Sequence, residues 1–364
     1  MQKNRLTIIY GNKPMEMAYE IMSASNVKAL LRKDMKIALK PNLVVSKPAS
    51  SGATTSPELV EGIIKYLKDN GFNNISIMES SWVGDDTKRA YKVCGYERIS
   101  SKYNVPLIDL KSDKTESVTC GGMDMLICSA PLHADFLINI PVLKAHCQTS
   151  LTCALKNLKG CIPDPEKRRF HALGLHKPIA LLNKLLKSHL IIVDGIMGDL
   201  TFEEGGNPVR MNRVILGTDP VLVDTYAAQL LGYSPQDIPY IAEACKMGVG
   251  TTHIDGSSII ELNKDSSIID MVPLTRKVSR LAGCITQEQA CSACYGSLIH
   301  ALNRLDENGT LNRLKEKIHI GQGFKGIQRN GIGVGICTQE FSKCLKGCPP
   351  KAREIVEFLT SSTT

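Results

Sequence analysis

Over its first 260 residues the chain alternates short apolar runs with helical repeats, and no other feature restricts its fold as strongly. Leu6–Tyr10, Met35–Leu39 and Ile75–Met78 are runs of strand length suited to burial on both faces. Between the second and third, Pro57–Asn70 repeats Leu59, Ile63, Ile64 and Leu67 at helical spacing. Ser56 is placed to cap that helix, Pro57 to occupy its first turn and Gly71 to close it. Strand, helix, strand in this order predicts a parallel sheet. Further strands are expected at Pro106–Leu110, Met125–Cys128, Phe136–Ile140, Leu190–Val193 and Val214–Leu216. Helices are expected at Leu151–Leu158, Pro178–Leu186, Pro220–Leu231 and Ile238–Met247. The reading is an α/β fold with two domains: a large, mostly parallel sheet with helices over residues 1–270, and a small cysteine-rich α/β domain over 280–364. Residues 250–283, with Gly256-Ser257-Ser258, Asp265-Ser266-Ser267 and a basic stretch at Arg276–Arg280, suit the connection.

Thirteen cysteines are an odd number and cannot all pair within one chain, so a disulfide framework does not explain them. The apolar run near the start, Leu6–Tyr10, is too short for the core of a secretory signal. No segment approaches the ~18 apolar residues of a membrane span. The expectation is a cytoplasmic protein with no membrane partner, where clustered thiols mean metal or redox chemistry. A formal charge of +8 invites nucleic acid, but the basic residues are dispersed and aromatics are 5%, with no helix-turn-helix, zinc-finger or stacking signature. A small anionic ligand accounts for the excess, and no nucleic-acid partner is expected. The oligomeric state is not legible.

Cysteine density rises from Gly283 onward. A helix at Ala290–Leu305, strands at Ile318–Gly321 and Gly333–Cys337 and a helix from Pro349 to Leu359 are expected there. Cys291 and Cys294, three apart at a helix start, project their sulfurs from one face. Cys348 stands in Gly347-Cys348-Pro349-Pro350, where a helix beginning at Pro349 would favour a thiolate at its positive end. Cys337 ends the glycine-rich stretch Gly331–Cys337, which permits close approach of a bulky group. Cys291, Cys294, Cys337 and Cys348 together supply the four thiolates of a 4Fe–4S cluster. Tetrahedral zinc is the alternative, since it also takes four cysteines. Cys284 and Cys344, the latter expected in a loop, are additional candidates.

The segment Leu143–Gly160 follows a strand and opens a helix, which places Lys144, His146 and Thr149 on the rim where open α/β sheets bind ligands. Lys156 and Asn157 lie about two turns into the expected helix, and with Lys159-Gly160 they return to the rim only if that helix is short. His171 and His176 follow. The concentration points to an anion pocket for a phosphate or carboxylate. Cys147, Cys153 and Cys161 lack metal spacing and are read as structural. Lys40-Pro41-Asn42, Glu79-Ser80-Ser81-Trp82, and Asp194-Gly195 with the loop Glu203-Glu204-Gly205-Gly206 lie at other strand ends. Asp194 suits a base, a magnesium ligand or a turn cap. Lys144, His146 and Asp194 are thus the catalytic candidates, and Lys40, Asn42, Thr149, Lys156 and Asn157 the substrate-binding ones. No G-x-G-x-x-G follows the first strand, and no P-loop or nucleophile elbow occurs, so nicotinamide and ATP chemistry lack support.

Lys40-Pro41-Asn42-Leu43, Thr55-Ser56-Pro57, Lys144-Ala145-His146, Leu155-Lys156-Asn157-Leu158-Lys159-Gly160, Val193-Asp194-Gly195-Ile196 and Gly217-Thr218-Asp219-Pro220 form an ordered set. It resembles the family catalogued as domain of unknown function 362, over about residues 35 to 250. The tail from Ala290 to Pro350 looks like an extension found in some members. Many others carry a ferredoxin-type insertion with C-x-x-C-x-x-C spacing, absent here. At fold level the family is similar in layout to nickel-dependent lactate racemase, and the resemblance implies no defined reaction. The combined expectation is an iron–sulfur enzyme that uses redox or Lewis-acid chemistry on a small anionic substrate, with an electron-transfer partner. An electron or cluster carrier without its own substrate, and a structural zinc module, are the alternatives.

Overall fold

The computed structural model describes residues 4–199, 204–205, 207–263 and 280–362. Glu203 and Gly206 of the acidic loop, and Asp265–Ser267 and Arg276 of the connection, lie outside these. The chain forms two compact units, one of residues 1–167 and 176–272, the other of 168–175 and 273–364. The fold is mixed α/β, with one large sheet in the first unit and a separate small parallel sheet in the second.

The first unit contains β1 (Leu6–Tyr10), β2 (Ile37–Pro41), β3 (Ile75–Glu79), β4 (Leu107–Asp109), β5 (Thr115–Cys120), β6 (Met123–Cys128), β7 (Phe136–Ile140), β8 (Lys144–His146), β9 (Ser150–Thr152), β10 (Leu190–Asp199), β11 (Pro208–Gly217) and β12 (Ile259–Glu261). Eight of these make one sheet in the order β12-β1-β11-β10-β7-β2-β3-β4. From β10 to β4 all neighbours are parallel, while β11 runs antiparallel to both β10 and β1. β2 and β7 are buried along their whole length, as strands covered on both faces must be.

The helix Pro57–Asp69 forms as its pattern predicts: Ser56 Oγ accepts the Leu59 N–H and Gly71, at φ 78°, follows its end. Leu59, Ile63, Ile64 and Leu67 are fully buried against Ile37, Leu39 and Ile77 of the sheet and the helix Pro14–Ala24. At about 1.5–3 kcal/mol for each buried side chain, this face contributes strongly to the core. Among the described residues no helix is long and apolar enough to cross a membrane.

The second unit contains β13 (Ile285–Gln287), β14 (Ile318–Ile320), β15 (Arg329–Val334) and β16 (Phe341–Leu345), all parallel and adjacent in that order. The helix Ser292–Glu307 lies between β13 and β14 in sequence, and the helix Ala352–Ser362 packs on it and on β16. The strand partnerships of β14, β15 and β16 are made across residues 321–328 and 335–340, too short for a helical crossover. Each connection turns through a 3-10 segment, Gln322–Phe324 and Ile336–Thr338, and the two turns pack together. Gly335, at φ 95°, admits the second turn where a side chain would be strained.

Candidate functional site

The parallel strands of the first unit end on one edge of the sheet, and the sequence-predicted residues gather there. Lys40 of β2 and Glu79 of β3 form a fully buried ion pair at 2.7 Å. The Glu79 carboxylate also accepts the N–H groups of Ser80 at 2.7 Å and Leu43 at 2.9 Å, and Lys40 donates to the Pro41 carbonyl at 2.8 Å. These bonds offset the desolvation that otherwise makes a buried pair costly. Gly160 packs against the pair, for a Cβ there would fall 2.1 Å from Glu79 Oε1 and 2.6 Å from Lys40 Nζ.

The helix expected at Leu151–Leu158 does not form. β8 and β9 make an antiparallel hairpin, Ala154–Asn157 is a single helical turn, and Leu158–Cys161 is a 3-10 turn. The Asp224 carboxylate accepts the N–H groups of Ala154 at 2.7 Å and Leu155 at 3.1 Å, so helix begins only after Cys153. Being short, the helical turn brings Asn157 and Gly160 back to the strand ends. Asn157 Nδ2 donates to Asn139 Oδ1 at 2.7 Å and to the Lys40 carbonyl at 3.2 Å, while its Oδ1 accepts from Asn42 Nδ2 at 2.9 Å. Asn42 Oδ1 accepts from Lys144 Nζ at 3.3 Å, and Lys144 also donates to the Ala53 carbonyl at 2.5 Å. Lys40, Asn42, Lys144 and Asn157 therefore belong to one buried network.

Lys156 Nζ lies 3.4 Å from Thr152 Oγ1, and Thr149 Oγ1 donates to the Leu151 carbonyl at 3.2 Å. His146 is buried, and its Nδ1 accepts the N–H groups of Gln148 at 3.0 Å and Thr149 at 3.3 Å. That assigns the proton of the neutral ring to Nε2. Asp194 sits partway along β10 rather than at its end. Its two oxygens accept the N–H groups of Ser56 at 2.7 Å and Ile196 at 3.1 Å, which ties the Thr55-Ser56-Pro57 turn to β10. Burial raises Asp194 to about 6, against the pull of these two N–H groups. His176 stacks on Tyr240, and burial lowers its pKa, whereas His171 belongs to the second unit. Burial pushes the thiols of Cys153 and Cys161 upward, the latter to about 12, in keeping with inert structural residues.

Three residues of this edge escaped sequence reasoning. Asn139 interrupts the apolar run Phe136–Ile140 and Asp224 directly follows the run Val221–Val223, and a polar residue at each place was the available signal. Lys167 is buried and donates to the Ser80 and Ser81 carbonyls, Ser80 Oγ and Asp164, with its pKa lowered chiefly by burial. Its spacing of three from Asp164 on a helix was the only hint.

In the second unit the carboxyl ends of β13, β15 and β16 lead respectively to Cys291, Cys337 and Cys348. Cys291 is the N-cap of Ser292–Glu307 and Cys294 lies in its first turn. The Ile336 N–H donates to the Gly347 carbonyl at 2.9 Å, which draws the Cys337 turn to the Cys348 segment. Burial pushes the Cys294 thiol well above its ordinary range; Cys291, Cys348 and Cys337 push it further and Arg168 opposes them. Cys337 is likewise raised by burial and by Cys348, against the pull of Lys325. The other three predicted sulfurs thus lie within electrostatic reach of Cys294. Among the described residues, no three His, Cys, Asp or Glu side chains are grouped to hold a single metal ion.

Two local expectations are corrected. The last helix begins at Ala352, beyond Pro349-Pro350, so Cys348 does not cap it. A residue preceding proline is disfavoured in helix, and two prolines in a row defer its start. Cys344 lies in β16, not a loop, with its Sγ 3.5 Å from Thr338 Oγ1. Cys284 immediately precedes β13, at the amino end of the sheet.

The two sheets define a mixed α/β protein whose candidate site residues gather toward the carboxyl ends of parallel strands. The chain belongs to the family described as Domain of unknown function (DUF362), which matches residues 37–229. It is 24% identical over 228 residues to "Thylakoid-associated protein sll1697" of Synechocystis sp. (strain ATCC 27184 / PCC 6803 / Kazusa), covering 60% of this chain and 69% of that one. Among solved structures it is similar to the lactate racemase apoprotein from Thermoanaerobacterium thermosaccharolyticum, at 12% identity and a TM-score of 0.37. That match covers 68% of this chain and 58% of the other.

Proposed function

We propose that the chain is an iron–sulfur protein whose second unit holds a 4Fe–4S cluster through Cys291, Cys294, Cys337 and Cys348, and whose first unit takes a small anionic substrate. The observation that carries this reading is that Cys291, Cys337 and Cys348, which lie on three separate segments, all act electrostatically on Cys294. Burial and neighbouring sulfurs raise the Cys294 and Cys337 thiols, and binding a cationic metal reverses that penalty. The donor set fits the cluster. Tetrahedral zinc, which also takes four cysteines, is the alternative that quantification of iron, sulfide and zinc separates. When bound, the cluster would supply one-electron transfer, the role suited to four cysteine ligands with no iron left open. Arg168 and Lys325 favour the negative charge of the thiolates.

In the first unit Lys144 and Lys156 bring ammonium groups into buried surroundings, where an anion is a favourable partner. Asn42 and Asn157 orient Lys144, and His146, with its proton on Nε2, offers a hydrogen-bond donor or general acid. Asp194 positions the turn that opens the helix Pro57–Asp69.

The test is purification without oxygen, quantification of iron, sulfide and zinc, and absorption and spin-resonance spectra with and without reductant. About four irons and four sulfides per chain are expected. Serine at any of the four cysteines should lower them, and serine at Cys284 or Cys344 should not. Stoichiometric zinc without a chromophore would overturn the cluster. Titration with inorganic phosphate and acetate, compared between wild type and Lys144→Met, tests the anion site. If no anion binds the wild type, the function contracts to electron carriage.

A further inference from the structure

We infer that the outer part of the β10–β11 ribbon is a hinged gate over the anion site of the first unit, closed in this structure. The inference rests on the anion-binding reading of Lys144 and its neighbours, and adds how a ligand reaches them. Lys144 is 1% exposed and His146 3%, and Asn42, Thr149, Lys156 and Asn157 are buried with them. An anion reaches the Lys144 ammonium only after something covering it moves aside.

The outer ribbon lies over it. As far as Asp194, β10 stays with β7 and the segment that follows, since the Asp194 N–H donates to the Pro141 carbonyl and its carbonyl accepts the Leu143 N–H. Beyond that level β10 and β11 continue paired to Asp199 and Pro208. On this stretch Gly198 packs on the Leu143 carbonyl, and Gly52 packs on the Gly198 carbonyl, so closely that a Cβ at either glycine would overlap the oxygen. Leu143 precedes Lys144, and Gly52 precedes Ala53, whose carbonyl accepts Lys144 Nζ at 2.5 Å. The ribbon therefore rests on the main chain at both ends of that bond. Gly205 packs on the Ser51 carbonyl in the same way, and the Glu204 carbonyl accepts Lys47 Nζ at 2.8 Å.

A hinge is built where the ribbon leaves the sheet. Met211 and Asn212 of β11 stand opposite Ile196 alone, a β-bulge, because the register shifts between Gly195 and Met197. Asn212 has φ 49°, the left-handed conformation that asparagine tolerates. Its carbonyl accepts the Gly11 N–H at 2.8 Å, which fixes the root of the ribbon to the end of β1. Rotation at this level swings Gly198 off Leu143 and Gly52, while the ladder from Ile191–Asp194 to Val214–Gly217 stays paired.

The experiment uses the full chain, with inorganic phosphate as the probe. Ala53→Cys with Gly205→Cys places two Cβ atoms 3.2 Å apart, near the ~3.8 Å of a disulfide. Oxidation of this double variant by diamide should lock the gate and weaken phosphate binding by about 10-fold or more in calorimetry, and dithiothreitol should restore it. Binding by either single variant should respond to neither reagent. Hydrogen exchange of the unmodified chain reads the same motion without a substitution. Amides of Val209–Met211 should exchange about 10-fold or more faster than those of Val214–Leu216, and phosphate should slow the first set. Equal phosphate binding by the oxidised and reduced double variant, or equal exchange in the two stretches, would overturn the gate alone. Absence of phosphate binding by wild type would overturn the anion reading and the gate together.

Discussion

Gly160→Ala should destabilise the first unit by about 3–5 kcal/mol, the range for breaking a buried ion pair. At an ordinary site, glycine to alanine stabilises by about 0.4–1 kcal/mol through the unfolded chain, so the sign itself is informative. Here the new methyl would sit 2.1 Å from Glu79 Oε1 and 2.6 Å from Lys40 Nζ. Relief needs a shift of about an ångström, and Oε1 cannot move that far while keeping its 2.7 Å bonds to Lys40 and to the Ser80 N–H. Overpacking alone costs about 1–3 kcal/mol, and the opened pair supplies the rest. Urea unfolding followed by fluorescence of Trp82, the sole tryptophan, reads this unit, because Trp82 lies three residues past Glu79 and its N–H is bonded to the Val44 carbonyl. Repeating the substitution in a Glu79→Ala background should reduce its cost by more than about 1 kcal/mol. A loss below about 1 kcal/mol in the wild-type background, or an equal loss in both, would refute the reasoning.

Asp194 keeps its proton to about pH 6 in the folded chain, against 3.8 for the ordinary group. The native state therefore binds more protons between these values, and this group's contribution to stability falls as pH rises from about 4 to 6 and is flat above. Asp194→Asn should remove that slope, so that the stability difference between wild type and variant shifts by about 3 kcal/mol between pH 4 and 7 in urea titrations. Asn157→Ala should cost about 2–4 kcal/mol by stranding Asn42 Nδ2 and Asn139 Oδ1, and should weaken phosphate binding by loosening Lys144, as calorimetry would show. Gly347→Ala would place a methyl 2.7 Å from Pro350 Cα, which should displace Cys348 and lower iron content after purification without oxygen, with near-wild-type helicity by circular dichroism.

The large sheet was legible because buried parallel strands and an amphipathic helix have distinct periods. β1 and β7 fall where the apolar runs predict them, and Pro57–Asp69 carries its cap and stop in adjacent residues. The stretch around residue 151 was not legible, since its helical pattern yields to an Asp224 carboxylate 70 residues away. β5, β13 and β16 likewise lacked a clear apolar pattern, and their pairing depends on neighbours distant in sequence.

By itself the sequence determined which residues are candidates for chemistry: four spaced thiols in the tail, and lysines and asparagines at strand ends. Local rules of periodicity, capping and residue type suffice for that. Only tertiary structure decided which of them meet. The short Ala154–Asn157 turn delivers Asn157 and Gly160 to Lys40 and Glu79, and the aligned ends of β13, β15 and β16 bring the segments of Cys337 and Cys348 within electrostatic reach of Cys294. Such meetings depend on strand order and on backbone hydrogen bonds between residues far apart in the chain, which spacing along one segment does not encode.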